Sequence, residues 1–389
     1  MPFPTTLALF CKVVDNFGDI GICWRLARQL QREHGIAVIL WVDDLATFRR
    51  ICPGLDVDAQ TQDLDGVVIR HWNKQEWRFT VADVADIVVE FFACDIPEGY
   101  IAAMAAREPR AVWFNLEGLT AEEWVEGCHR LPSRHPRLPL TKHFFFPGFT
   151  NKTGGLICEA GLEDERRRFV ADGKTSAFLG GLGLTAAQQQ ACKVSLFCYP
   201  HARVAELFNA WRDGSEAVAC LVPEGVAQDA VEAFLGGPAR AGAVATQGRL
   251  TVRVLPFLPQ ADYDKLLWSC DFNVVRGEDS FVRAQWAGQP FVWHIYPQDK
   301  NLHHVKLRAF LDRYADGLGA LAAFSLAWNG AQDGPDDWPA LWRDLLAERP
   351  QILARAEVWN AKMRENGELA SNLLKFAREI EAENRENKV

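Results

Sequence analysis

The chain of 389 residues contains no CxxC pair and no cysteine–histidine spacing suited to zinc. Its cysteines stand singly, at Cys11, Cys23, Cys52, Cys94, Cys128, Cys158, Cys192, Cys198, Cys220 and Cys270. Several fall in apolar, strand-like patterns, where a free cysteine behaves as a small buried hydrophobe. Reduced thiols and a cytoplasmic setting are therefore expected. No apolar run reaches the ~18 residues of a membrane span, so no membrane association is expected. The opening Met1-Pro2-Phe3-Pro4-Thr5-Thr6 lacks a basic n-region, and no signal peptide is read there. The first strand is followed neither by GxGxxG nor by a P-loop, which weakens any dinucleotide or P-loop reading. His294, His303 and His304 form no HxxxH pattern with a carboxylate, so no metal or other cofactor is expected. A net charge of −9 argues against nucleic acid as a partner. One window runs against that charge. Residues 127–158 hold no acid, while Arg130, Arg134, Arg137, Lys142 and Lys152 are basic. This is a candidate surface for an acidic protein partner, or an ordinary solvated loop.

What is present is a soluble α/β pattern. An apolar share of 49% suits buried cores, and the length suits two domains of roughly 100–200 residues each. In the first half, strands are expected at 7–14, 37–42, 87–92 and 111–115, with an amphipathic helix at 21–32. Thr120 and Glu123 have capping-box spacing before a short helix. Residues 130–155, rich in proline, phenylalanine and glycine, read as a long loop. After the glycine-rich 180–183 a fresh alternation starts. Strands are expected at 194–199, 217–222, 250–255, 272–275 and 291–295, and helices at 203–211, 227–235, 261–270 and 282–288. Such alternation implies βαβ units and parallel sheets. The expected architecture is α/β, with two Rossmann-like domains facing a cleft, the layout of GT-B glycosyltransferases. The domains are placed at 1–175 and 185–355, with a helical tail at 356–389 packing back on the first. Several epimerases and phosphorylases share this layout, and fold alone does not fix function.

Three turns carry the chemistry. The apolar run 270–275 leads into Arg276-Gly277-Glu278-Asp279-Ser280-Phe281 and then a helix. Ligands bind at that end of a parallel strand. A helix N-terminus and an arginine there suit a phosphate, whereas the acids need a hydroxyl or a cation. The first strand runs into Asp15-Asn16-Phe17-Gly18-Asp19-Ile20-Gly21, which presents two carboxylates four residues apart; one of them could instead cap the helix. Before the helix at 261–270, Phe257 could stack on a nucleobase and Gln260 could bond its edge, although Phe257 could equally be core. Tyr199 ends its strand at the same rim.

These stretches resemble the EarP family, bacterial protein-arginine rhamnosyltransferases that modify elongation factor P. The match runs through Phe10-Cys11-Lys12-Val13-Val14-Asp15-Asn16-Phe17-Gly18-Asp19-Ile20-Gly21 and Trp24-Arg25-Leu26-Ala27. It continues in Leu40-Trp41-Val42-Asp43-Asp44, Trp113-Phe114-Asn115-Leu116-Glu117, Phe144-Phe145-Phe146-Pro147-Gly148-Phe149, Ser195-Leu196-Phe197-Cys198-Tyr199 and Pro256-Phe257-Leu258-Pro259-Gln260, and ends in the Arg276–Phe281 turn. The resemblance implies inverting transfer of L-rhamnose from dTDP-β-L-rhamnose to an arginine of elongation factor P. It places the family's aspartate pair on Asp15 and Asp19 and its essential glutamate on Glu278. The donor pocket falls on Tyr199, Phe257, Gln260, Arg276, Asp279 and Ser280. The alternatives are another sugar-nucleotide transferase or epimerase of this fold, and a non-catalytic module that docks a translation factor.

Overall fold

The computed structural model describes residues 5–14, 17–72, 77–331 and 336–386. It divides into two compact units, Met1–Ala160 with Met363–Val389, and Gly161–Lys362. Among the described residues no helix is long and apolar enough to cross a membrane.

The first unit is built on β1 (Thr6–Cys11), β2 (Ala37–Val42), β3 (Thr61–Leu64), β4 (Val67–His71), β5 (Ile87–Phe91), β6 (Val112–Leu116), β7 (Pro132–Arg134) and β8 (Thr141–Phe145). Their order is β3-β4-β2-β1-β5-β6-β8-β7. Pairing is parallel from β4 to β8 and antiparallel at the two edges. β5 and β6 are buried along their whole length, as strands covered on both faces must be. On one face Phe10 stacks on Trp41 at 5.6 Å and meets the edge of Tyr100 at 4.9 Å.

The first helix starts earlier than expected and spans Phe17–His34. Asp19 therefore lies inside its first turn rather than at a cap near residue 21. The stretch read as a long loop contains the hairpin β7–β8. The polar residues of this edge hairpin do not alternate with apolar ones, so it left no strand signal. Thr120 does not box with Glu123: its Oγ1 accepts the Glu122 N–H at 3.3 Å, and the short helix begins only at Val125.

The last helix, Leu369–Glu386, belongs to this unit. Phe376 packs on Phe114 at 5.6 Å, and the Arg130 guanidinium lies over the Phe376 ring at 3.8 Å. Its approach depends on two glycines, Gly155 and Gly367, both with φ +77°. A Cβ on Gly155 would sit 2.3 Å from the Gly367 carbonyl oxygen, so the backbones can touch only without side chains.

The second unit is built on β9 (Cys192–Leu196), β10 (Val218–Pro223), β11 (Val244–Gln247), β12 (Leu250–Leu255), β13 (Phe272–Arg276) and β14 (Phe291–His294), in the order β11-β12-β10-β9-β13-β14. All neighbours are parallel except β11 and β12. The glycine-rich passage lies in this unit, in the helix Lys174–Gly181 and the turn after it. The helix after β13 spans Asp279–Ala287, three residues earlier than expected, which makes Glu278 its N-cap.

Candidate active site

Each sheet has one point where the strand order reverses. In the first unit the chain runs from β1 outward to β2 through the helix Phe17–His34. From β5 it runs the opposite way to β6 through the helix Glu98–Ala106. In the second unit the reversal lies between β9 and β13, with the helices Val204–Asp213 and Asp279–Ala287 leading away. The loops leaving such a pair of strands diverge to opposite faces of the sheet. The crevice between them is the binding position of open α/β sheets.

In the first unit this crevice is bounded by the turn that carries Asp19. Asp15 lies outside the described residues. Asp19 is 4% exposed, and its Oδ2 accepts the Val14 N–H at 2.7 Å. Asp43, at the end of β2, accepts the neighbouring Val13 N–H at 2.8 Å. Two carboxylates thus hold the chain where it leaves β1. Burial pushes the Cys11 thiol up, and the Asp19 charge adds to that. Cys23 is raised by burial and by Cys11, with Asp19 again contributing. Both thiols stay protonated beside the Asp19 carboxylate.

Across the crevice, the loop after β5 places Phe92, Ala93 and Asp95 at φ between 49° and 54°, a region that costs a non-glycine residue roughly 1–2 kcal/mol. Asn115 of β6 secures it: its Oδ1 accepts the Ala93 N–H at 2.9 Å and its Nδ2 donates to Glu117 at 2.5 Å. A cavity of about 670 Å³ opens beside this loop, lined by Trp77, Phe79, Trp113, Glu90 and Lys142 among others. Asp19 is not among its lining residues.

In the second unit the crevice gathers most of the expected donor residues. The Arg276 guanidinium lies over the Phe197 ring at 4.5 Å and the Tyr199 ring at 4.9 Å, and donates to the Cys198 carbonyl at 3.3 Å. Planar stacking of this kind suits arginine and not lysine. Gln260, the first residue of the helix Gln260–Ser269, reaches Asp279 with an Nε2···Oδ2 distance of 3.4 Å. The turn after β12 and the turn after β13 are thereby joined. Beneath them Arg283 and Asp264 form a buried two-point ion pair at 2.9 and 2.8 Å. It locks the helices Gln260–Ser269 and Asp279–Ala287 together. Ser280 is buried in the first turn of the latter helix, and the Tyr263 hydroxyl has Ser280 and Asp279 as neighbours. Glu278 is half-buried with helical φ/ψ and makes no side-chain cap. Phe257 is half-buried in the turn after β12. Burial pushes the Cys198 thiol up to about 12, which leaves it inert next to Tyr199.

The structure therefore brings Tyr199, Gln260, Arg276, Asp279 and Ser280 to one rim of one sheet, and Asp19 to the equivalent rim of the other. Sequence reasoning missed the Asp264–Arg283 lock, the Asn115 clamp and the holding role of Asp43. Only Asp43 had a local signal, an acid directly after a strand. The basic window is less available than its composition suggests. Arg130 pairs with Glu379, Lys142 with the buried Glu90, and Lys152 with Glu126 at 3.0 Å; Arg134 and Arg137 are exposed. Among the described residues no group of three or more His, Cys, Asp or Glu gathers as metal ligands would.

Residues 7–378 match the family model described as elongation-factor P (EF-P) rhamnosyltransferase EarP. The chain is 48% identical over 380 residues to a protein-arginine rhamnosyltransferase of Pseudomonas putida, covering 96% of this chain and 98% of that one. It is similar to the structure solved for EarP-mediated arginine glycosylation of translation elongation factor EF-P. That match has a TM-score of 0.66 and 36% identity, and covers 96% of this chain and 99% of the other. A spinosyn forosaminyltransferase shares the GT-B fold at a TM-score of 0.51 and 14% identity, covering 97% of this chain and all of that one.

Proposed function

The chain belongs to the EarP family and is a glycosyltransferase that attaches rhamnose to a protein arginine; from that premise we propose that its donor is dTDP-β-L-rhamnose, that its acceptor is one arginine of elongation factor P, and that transfer inverts the anomeric centre to an α-linked product. The observation that carries this reading is the grouping of Tyr199, Gln260, Arg276, Asp279 and Ser280 at the switch point of the second sheet. It is the right chemistry for a nucleoside diphosphate, in a chain whose relative is named a protein-arginine rhamnosyltransferase.

The chemical difficulty is the acceptor. A guanidinium is protonated, with a pKa above about 12. Deprotonating it fully at neutral pH costs about 7 kcal/mol at 1.36 kcal/mol per unit. Carboxylates lower the barrier by orienting it, drawing its charge away from the attacking nitrogen and taking the proton as the new C–N bond forms. In this reading Asp19 is the general base and Asp15 its orienting partner, with Glu278 a carboxylate for the acceptor guanidinium. One Arg276 donor is committed to Cys198; its others meet the diphosphate. With Ser280 and the N-terminus of the helix Asp279–Ala287, Arg276 carries the charge that develops on the leaving group, without a metal. Phe257 and Gln260 hold the base.

The test is mass spectrometry of elongation factor P after incubation with the protein and dTDP-L-rhamnose, with and without excess chelator. A gain of one deoxyhexose on arginine in both samples is expected, with an α-linkage by NMR. Donor hydrolysis without modified acceptor would overturn the acceptor assignment. Loss of transfer in chelator would overturn the metal-free mechanism.

A further inference from the structure

In the second unit β9 and β14 flank β13. β13 leaves the sheet at Gly277, whose φ of +65° turns the chain sharply away. His294, the last residue of β14, closes the gap. Its Nδ1 accepts the backbone N–H of Tyr199, in the loop that follows β9, at 3.1 Å. A nitrogen that accepts this bond carries no proton, so the ring's single proton sits on Nε2. The ring is 1% exposed, and among the described residues Nε2 meets no hydrogen-bond partner. Facing it are His201 at 4.6 Å, Tyr199 at 5.4 Å and Trp328 at 5.7 Å between ring centroids, with Arg276 and His303 close enough to act on its charge. Burial, then His201 and Arg276, hold the imidazole well below its ordinary value, at about 3. A neutral ring with a fixed tautomer is thus kept at the point where the two outer strand ends meet.

The end of β14 is itself secured. Asn329, at the end of the helix Gly319–Trp328, accepts the Ile295 N–H at 3.0 Å and donates to the Trp293 carbonyl at 2.8 Å. Trp293 Nε1 donates to the Gly277 carbonyl at 2.8 Å. The turn at Gly277 and the backbone at Tyr199 are therefore both pinned to β14, by adjacent residues. The Tyr199 ring in turn lies under the Arg276 guanidinium.

We propose that His294 is a positioning residue for donor binding: it holds Tyr199, and through Tyr199 the stacked Arg276, in the geometry that receives the donor's nucleoside diphosphate. The proposal rests on the reading of this rim as the donor site. It adds a residue that meets the donor only through another.

The experiment compares wild type with His294→Leu and His294→Asn by calorimetric titration with dTDP and by steady-state kinetics. The asparagine Oδ1 can accept at the position of Nδ1; leucine cannot. The leucine variant is expected to raise the dTDP Kd and the donor KM by roughly tenfold or more, the scale of a stranded buried N–H. The acceptor KM should stay within about twofold, and the asparagine variant within about threefold of wild type throughout. If leucine prevents folding, His294→Phe keeps the ring's bulk without the acceptor and takes its place. A folded leucine or phenylalanine variant that binds dTDP as wild type does overturns the proposal. So does an asparagine variant as impaired as leucine, because ring volume rather than the bond would then be what matters. If wild type itself ignores dTDP and binds another nucleoside diphosphate, the donor assignment falls. The same comparison on that nucleotide still decides the role of His294.

Discussion

Replacing Asp264 with leucine leaves the Arg283 guanidinium in the interior without its carboxylate. The two side chains are 7% and 2% exposed and meet through two hydrogen bonds at 2.9 and 2.8 Å. Breaking such a pair from one side costs about 3–5 kcal/mol, because the remaining charge stays desolvated. With a urea slope of about 2–3 kcal/mol per molar, the midpoint of the transition should fall by roughly 1–2 M. The double variant Asp264→Leu/Arg283→Met removes both charges and keeps similar volume, so it should recover to within about 1 kcal/mol of wild type. Stability and function should then separate. The pair aligns the helices that carry Gln260 and Asp279, so the double variant should bind dTDP more weakly while melting like wild type. Urea titrations followed by tryptophan fluorescence, together with dTDP binding, measure both. A single variant costing under about 1 kcal/mol, or a double variant as unstable as the single, would refute the account of a buried charge that depends on this ion pair.

Asp19→Asn keeps an oxygen for the Val14 N–H while removing the carboxylate proposed as the base, so kcat should drop by roughly 10²–10⁴ with an unchanged melting temperature; a rate within a few-fold of wild type would remove Asp19 from that role. His294 is neutral when folded and takes up a proton when unfolded, so its contribution to stability is complete above pH ~6.5 and lost as pH falls toward about 3. At pH 5 that loss is about 2 kcal/mol, and His294→Asn should flatten this part of the pH–stability curve measured by denaturant titration. Gly155→Ala places a Cβ 2.3 Å from the Gly367 carbonyl at a φ of +77°; it should loosen the last helix by more than about 2 kcal/mol, seen as faster amide exchange across Leu369–Glu386.

Much of the fold was readable because parallel sheets demand continuous apolar strands, and β2 and β12 fall where that pattern puts them. Features failed to show where the pattern carries no such demand. The edge hairpin β7–β8 has too little apolar alternation to announce itself. The helix after β13 begins with Asp279 and Ser280, polar residues that read as loop until the fold shows them as a first turn. The same offset moved the start of the first helix to Phe17, because glycine and aspartate conceal a helix that tertiary packing imposes. Tyr199, Phe257, Gln260 and Arg276 were visible because they lie at or just after strand ends, while Asp279 and Ser280 were assigned to the donor by the family resemblance. The residues that hold them, Asp264, Arg283, Asn329 and His294, lie where no local pattern marks them.

What the sequence by itself determined is the alternation of strands and helices, the family, and the residue types at the strand ends, since these depend on local composition and order. The tertiary structure alone decided which strand ends lie side by side. Sheet order places β9 beside β13 although some 75 residues separate them, and this is why Tyr199 and Arg276 stack. It also decided the ionisation of the groups around them. A histidine in a sequence has its ordinary pKa; His294 lies far below that because burial and the charges packed around it act only once the chain has folded.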